Sequence, residues 1–153
     1  MRPIVALLIA AVAGPAVAQD GAAPFTVVET GQRFRTLDDA LMENRGRDFT
    51  VLIQPGVYRQ CAIQQAGRVT YKAAEPGTVI FERTACEDKA VLVLRGDRSA
   101  VDGLVFRGIR VPDGNGAGIR TEIGDLSVTN SMFLDSQEGI LGGNPSPQRI
   151  TID

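Results

Sequence analysis

The chain has 153 residues, 44% hydrophobic and 22% charged, so it is long enough for one core and too apolar for a disordered segment. It contains no His, which excludes every His-dependent triad and the commonest metal ligand. With 16 basic against 18 acidic residues, the net charge of −2 excludes a broad electrostatic affinity for nucleic acid or anionic membranes.

Residues 1–18 read as a signal peptide. Arg2 supplies the positive start, an apolar run follows to Val12, and Gly14-Pro15 breaks it. Ala16-Val17-Ala18 is an A-x-A signal, so cleavage is expected between Ala18 and Gln19. The apolar run is too short to span a bilayer, and no Cys follows the cleavage point to carry a lipid. The expected product is secreted or periplasmic, with no membrane anchor left after cleavage.

Residues 19–24 form a loose mature N-terminus, and residues 25–153 form one domain. A first strand is expected over 25–28. Thr36 is an N-cap candidate with Asp39 three residues on, and Leu37, Ala40 and Leu41 share one face of the helix that follows. Gly46 can end it. The pattern then changes to short strands at 49–53, 57–58, 61–64, 69–73, 78–82, 90–94, 101–106, 118–121, 126–133, 139–141 and 150–152. Gly, Asp, Asn and Pro stand at the breaks, and no run is long enough for a second helix, which excludes βαβ units.

The strands repeat. Val101 to Phe106 resembles Val128 to Phe133, Gly118-Ile119 matches Gly139-Ile140, and Leu126-Ser127-Val128 matches Ile150-Thr151-Ile152. Offsets of 27, 21 and 24 residues suit one turn of a β-solenoid with corner loops of variable length. An antiparallel sandwich is the competing fold, but no Trp lies between the cysteines and two-residue hairpin turns are few. Asp113-Gly114-Asn115-Gly116 reads as a long corner loop. Cys61 and Cys86, an even pair in an exported chain, predict a disulfide.

The segment Val51-Leu52-Ile53-Gln54-Pro55-Gly56-Val57-Tyr58 resembles the strand-PGxY opening of right-handed parallel β-helix proteins of the pectate-lyase-like kind. In those proteins an amphipathic helix caps the first coil, and residues 37–43 stand in that place. The resemblance implies an all-β, right-handed parallel β-helix that handles polysaccharide, as a lyase or related enzyme on uronate-containing chains. A non-catalytic solenoid for glycan binding, adhesion or surface structure is the alternative, because fold does not set function. It also implies what to search for. Elimination from a uronate needs the carboxylate neutralised, usually by Ca²⁺, and in pectate lyases an Arg takes the proton. The Asp pairs and Gly-His-Gly of polygalacturonases are missing, and the one Asp-Asp, Asp38-Asp39, belongs to the first turn of the capping helix.

The catalytic candidates are therefore Arg120, Glu122 and Asp113. Arg120 and Glu122 are two apart on one expected strand and share a face, with Ile119 pointing inward. Asn115 lies in the preceding corner with Asp113, and Arg107, Arg110 and Asn115 are candidate substrate-binding residues for a carboxylated sugar. The plain alternative for all of these is a solvated face with an internal ion pair. Asn130, with Asp102 as its expected counterpart one coil back, is a corner residue rather than a site residue. Tyr58 and Tyr71 are either sugar-stacking or packing residues. Residues 149–153 read as a strand opening a further coil, so the chain is expected to continue as part of a longer solenoid.

Overall fold

A computed structural model describes residues 23–143 and 148–153. The expected leader and its expected cleavage point between Ala18 and Gln19 lie outside the described residues. Two short strands, β1 (Phe25–Val27) and β2 (Arg33–Phe34), precede the helix α1 (Leu37–Glu43). Three strands per coil follow. The first coil is β3 (Asp48–Ile53), β4 (Gly56–Tyr58) and β5 (Ala62–Gln64). The second is β6 (Arg68–Ala73), β7 (Val79–Glu82) and β8 (Ala90–Leu94). The third is β9 (Arg98–Asp102), β10 (Leu104–Arg107) and β11 (Ala117–Thr121). The fourth is β12 (Asp125–Thr129), β13 (Met132–Leu134) and β14 (Glu138–Gly142), and β15 (Ile150–Ile152) opens a fifth.

Equivalent strands of successive coils pair in parallel and make three sheets. The first sheet runs β15-β12-β9-β6-β3, extended at its start by β1 and β2 in antiparallel pairing. The second runs β13-β10-β7-β4 and the third β14-β11-β8-β5. This is the parallel β-solenoid with an N-terminal helix that the repeats predict.

The core follows from period-2 alternation. In β3 the side chains of Phe49, Val51 and Ile53 are buried while Thr50 and Leu52 are half-buried on the outer face. Register then stacks like on like: Val51 faces Tyr71, which faces Val101, which faces Val128. One column is aromatic. Phe25, Tyr58, Phe81, Phe106 and Phe133 lie ring to ring with centroids 5.1, 5.3, 6.1 and 5.2 Å apart. Tyr58 and Tyr71 are therefore packing residues. Burial pushes the Tyr58 hydroxyl up to about 12, and its proton goes to the Gln54 carbonyl at 2.6 Å. The Tyr71 hydroxyl is raised further by burial and donates to Gln64 Oε1 at 3.0 Å. Gln64 is a fully used buried amide. Its oxygen also accepts from Ser99 Oγ at 2.7 Å, and its nitrogen donates to the carbonyls of Gly67 and Arg98.

Two expected strands turn out to be corners. Residues 101–106 divide into β9 and β10 at Gly103 (φ 78°), and 126–133 divide into β12 and β13 at Asn130 (φ 50°). A left-handed residue turns the chain from one sheet to the next without lengthening the coil, and Gly and Asn tolerate it best. The register also corrects the pairing of Asn130. Asp102 stands opposite Thr129, so the counterpart of Asn130 is Gly103. Asp102 still touches both neighbours, its Oδ1 accepting from Asn130 Nδ2 at 2.9 Å and from Thr129 Oγ1 at 3.2 Å.

The helix covers the start of the solenoid as expected. The Thr36 oxygen accepts from Asp39 N at 3.1 Å, and the Thr36 hydroxyl donates to the Asp39 carboxylate at 2.6 Å. Leu37, Ala40 and Leu41 are buried. Asp38 ties the helix to the first coil by accepting from Ile63 N at 3.1 Å, which gives that carboxylate a structural use. No helix among the described residues is long and apolar enough to cross a membrane.

Candidate functional site

The outer face of the third sheet is not bare. The loop between β7 and β8 turns back over it, and Cys86 N donates to the Ala90 carbonyl at 2.8 Å. The expected disulfide joins Cys61 to Cys86, with their Cα atoms 5.5 Å apart. Ala90, Val93 and Ala117, with Ile63, Cys86 and Leu141, form a small apolar cluster beside the bridge. All five residues of β8 are consequently buried, as in a strand covered on both faces. Arg83, Glu87 and Asp88 in this loop hold φ near 50°, a conformation that costs energy in non-Gly residues and needs the surrounding contacts to persist.

Five charged side chains gather where the loop meets the ends of β8 and β11. Lys89 Nζ lies 3.0 Å from both Glu87 Oε2 and Glu122 Oε1. Arg95 donates to Glu122 Oε2 at 2.6 Å through Nε and to Glu87 Oε1 at 3.1 Å through Nη1. Arg120 Nε is 3.5 Å from Glu122 Oε1, too far for a good hydrogen bond, and this buried nitrogen has no hydrogen-bond partner among the described residues. Among the described residues, three cations thus face two carboxylates.

The electrostatics follow from these contacts. The hydrogen bonds from Arg95 and Lys89 hold the Glu87 carboxyl at about 2. Burial alone would raise Glu122, but the hydrogen bonds from the same two cations outweigh it and leave the carboxyl below its usual range. Lys89 is raised by its bonds to Glu122 and Glu87, and Arg95 by its bonds to Glu87 and Glu122. A carboxylate with a depressed folded pKa stabilises the fold above its unfolded value and loses that effect as pH falls through the folded value. Wild-type stability is therefore expected to fall more steeply than that of Glu87→Gln between about pH 4.5 and about pH 2. Urea unfolding at stepped pH measures this. Because Glu87 is 38% exposed, the difference should shrink in high salt.

Of the sequence candidates, Arg120 and Glu122 come together, with Ile119 before Arg120 and Thr121 between the two both buried. Glu122 lies one residue beyond the end of β11 rather than within it. Asp113 and Asn115 do not join them by any salt bridge or side-chain hydrogen bond among the described residues. Their corner is held by Gln137, whose Oε1 accepts from Val111 N and Gly116 N at 2.8 Å each. Arg107 ends a strand of the second sheet, where Glu82 bridges it to Arg59; Arg59 Nη2 lies 3.0 Å from that carboxylate. The bonds from Arg107, then those from Arg59, hold Glu82 below its usual range. Arg110 is exposed and pairs with Asp135 at 2.7 Å. No salt bridge or side-chain hydrogen bond among the described residues links Arg107 or Arg110 to Arg120. The donor set for Ca²⁺ does not assemble either: no group of three or more Cys, Asp or Glu among the described residues is arranged to hold a metal ion, and Glu122 is already matched by cations.

Sequence reasoning missed Glu87, Lys89, Arg95 and Gln137. One signal was available for Arg95. Leu94 stands opposite Thr121, so Arg95 precedes Glu122 by the same 27 residues that relate Val101 to Val128. Glu87 and Lys89 arrive through the disulfide-bound loop, which no repeat encodes. Comparison of the chain with protein-family models, curated proteins and solved structures finds no match.

Proposed function

We propose that this β-solenoid is an exported scaffold that binds a uronate-containing polysaccharide, with the Arg120 cluster taking a carboxylate of the chain. The observation that carries this reading is the Arg120 guanidinium, which makes no hydrogen bond among the described residues, is 24% exposed, and is set beside Lys89 and Arg95 where three cations meet two carboxylates. A guanidinium matches a carboxylate in geometry as well as charge. The disulfide and the A-x-A leader support an oxidising, extracytoplasmic setting.

The same geometry favours binding over cleavage. Glycoside hydrolysis needs one carboxyl kept protonated as the acid, and here Glu87 and Glu122 are both pushed toward the ionised form. The reading as a uronate lyase rests on the placement of Arg120 on this face, from which it would take the proton. A rise in unsaturated-uronate absorbance that Arg120→Ala abolishes would establish it. For the binding reading, calorimetric titration with polygalacturonate is expected to show affinity about tenfold weaker in Arg120→Ala, as for a lost charge-assisted hydrogen bond. Unchanged affinity would remove Arg120 from the site.

A further inference from the structure

The outer face of the first sheet carries a second arrangement. Its edge row, one residue per coil, is Asp48, Arg68, Arg98, Asp125 and then Arg149, placed by the register of successive strands. The next outward row is Thr50, Thr70, Ala100, Ser127 and Thr151. Small side chains in this second row leave a trough beside the long side chains of the first. Two cavities of about 240 and 230 Å³ occupy it, and both are bounded by Arg98. Glu29 closes one end, its carboxylate accepting from Thr50 N at 2.9 Å.

The guanidinium groups here are uncommitted. Arg68 makes one long pair with Asp48 at 3.7 Å, and both side chains are mostly exposed. Among the described residues, the side chains of Arg98 and Arg149 make no salt bridge and no hydrogen bond, although both residues are exposed. They lie two strands apart, about 10 Å by the usual strand spacing. Asp125 stands between them, and its carboxylate accepts from Arg149 N at 3.0 Å.

We infer that this trough binds an extended, carboxylate-bearing glycan laid along the solenoid axis, at a site separate from the Arg120 cluster. Guanidinium groups take the carboxylates, while Asp48, Asp125 and the hydroxyls of the floor accept and donate to sugar hydroxyls. A ligand that repeats along its length matches a face that repeats once per coil. The inference rests on the glycan reading above and names a second place where the chain engages the sugar.

Titration of the whole protein with a long and a short oligogalacturonate tests it, using wild type, Arg120→Ala and the double variant Arg98→Ala/Arg149→Ala. Wild type is expected to bind the long oligomer more tightly than the short one. The double variant should lose about tenfold or more in affinity for the long oligomer, with an unchanged circular dichroism spectrum because both side chains are exposed. A second variant, Ala100→Glu, should give a similar loss by filling the trough floor with negative charge. Unchanged binding in both of these variants would overturn the trough and leave the Arg120 reading standing. Removal of all binding by Arg120→Ala alone would also overturn it. No binding by wild type would overturn both.

Discussion

Phe81→Ala is expected to cost about 3–5 kcal/mol of folding stability, the usual range for deleting a fully buried ring. Phe81 is 0% exposed and sits in the middle of the aromatic column, with Tyr58 at 5.3 Å on one side and Phe106 at 6.1 Å on the other. A solenoid has no distant packing to redistribute such a loss, because each coil touches only its neighbours. The cavity would separate the first coil from the third at the second sheet. The expected cost is a large share of the roughly 5–15 kcal/mol that holds a typical domain together. Equilibrium denaturation measures it. Phe133→Ala is the matched comparison: that ring belongs to the same column but is only partly buried, so its removal should cost clearly less. Equal costs for the two would mean that the column does not stack as described.

Loss of the disulfide is the second large effect. The bridge closes a loop of 25 residues, and the chain-entropy relation gives about 3–4 kcal/mol for a loop of that length. Cys61→Ser/Cys86→Ser should lower the midpoint of denaturation accordingly. A local consequence is also expected. The loop over the third sheet has three residues in a costly left-handed conformation and is held by the bridge, the Cys86–Ala90 hydrogen bond and the ion pairs of Glu87 and Lys89. Without the bridge, hydrogen exchange at Cys86 N (Ser in the variant) and across β8 should accelerate more than in β6 or β9. Uniform acceleration throughout the chain would show that the bridge acts on the unfolded state alone.

These two effects mark what could be read in the sequence. The solenoid was legible because inward residues must stack from coil to coil, so apolar spacing survives changes in loop length. Val101 with Val128, Ile119 with Ile140 and Leu126 with Ile150 are all true register partners. The disulfide was legible for a different reason, an even cysteine count in a chain whose first residues read as a leader. The corners were harder. A single left-handed residue such as Gly103 or Asn130 turns the chain inside what reads as one apolar run, and periodicity does not see it. The charged sites were hardest. Arg68 pairs with Asp48 twenty residues back and with Arg98 thirty residues on, because the second coil contains the disulfide-bound loop. No constant period brings the edge row of the first sheet together. Around Arg120, the sequence supplied one ion pair of a five-membered network, since two of its partners come from that inserted loop.

Recognition of a polysaccharide through its carboxylates, proposed above for this solenoid, has one direct test. Titration with polygalacturonate and with the same polymer after reduction of its carboxyl groups compares chains that differ only in that charge. The carboxylated polymer is expected to bind saturably, and more weakly as salt rises, with the reduced polymer binding at least about tenfold more weakly. Equal affinity for the two, or none for either, would contradict it.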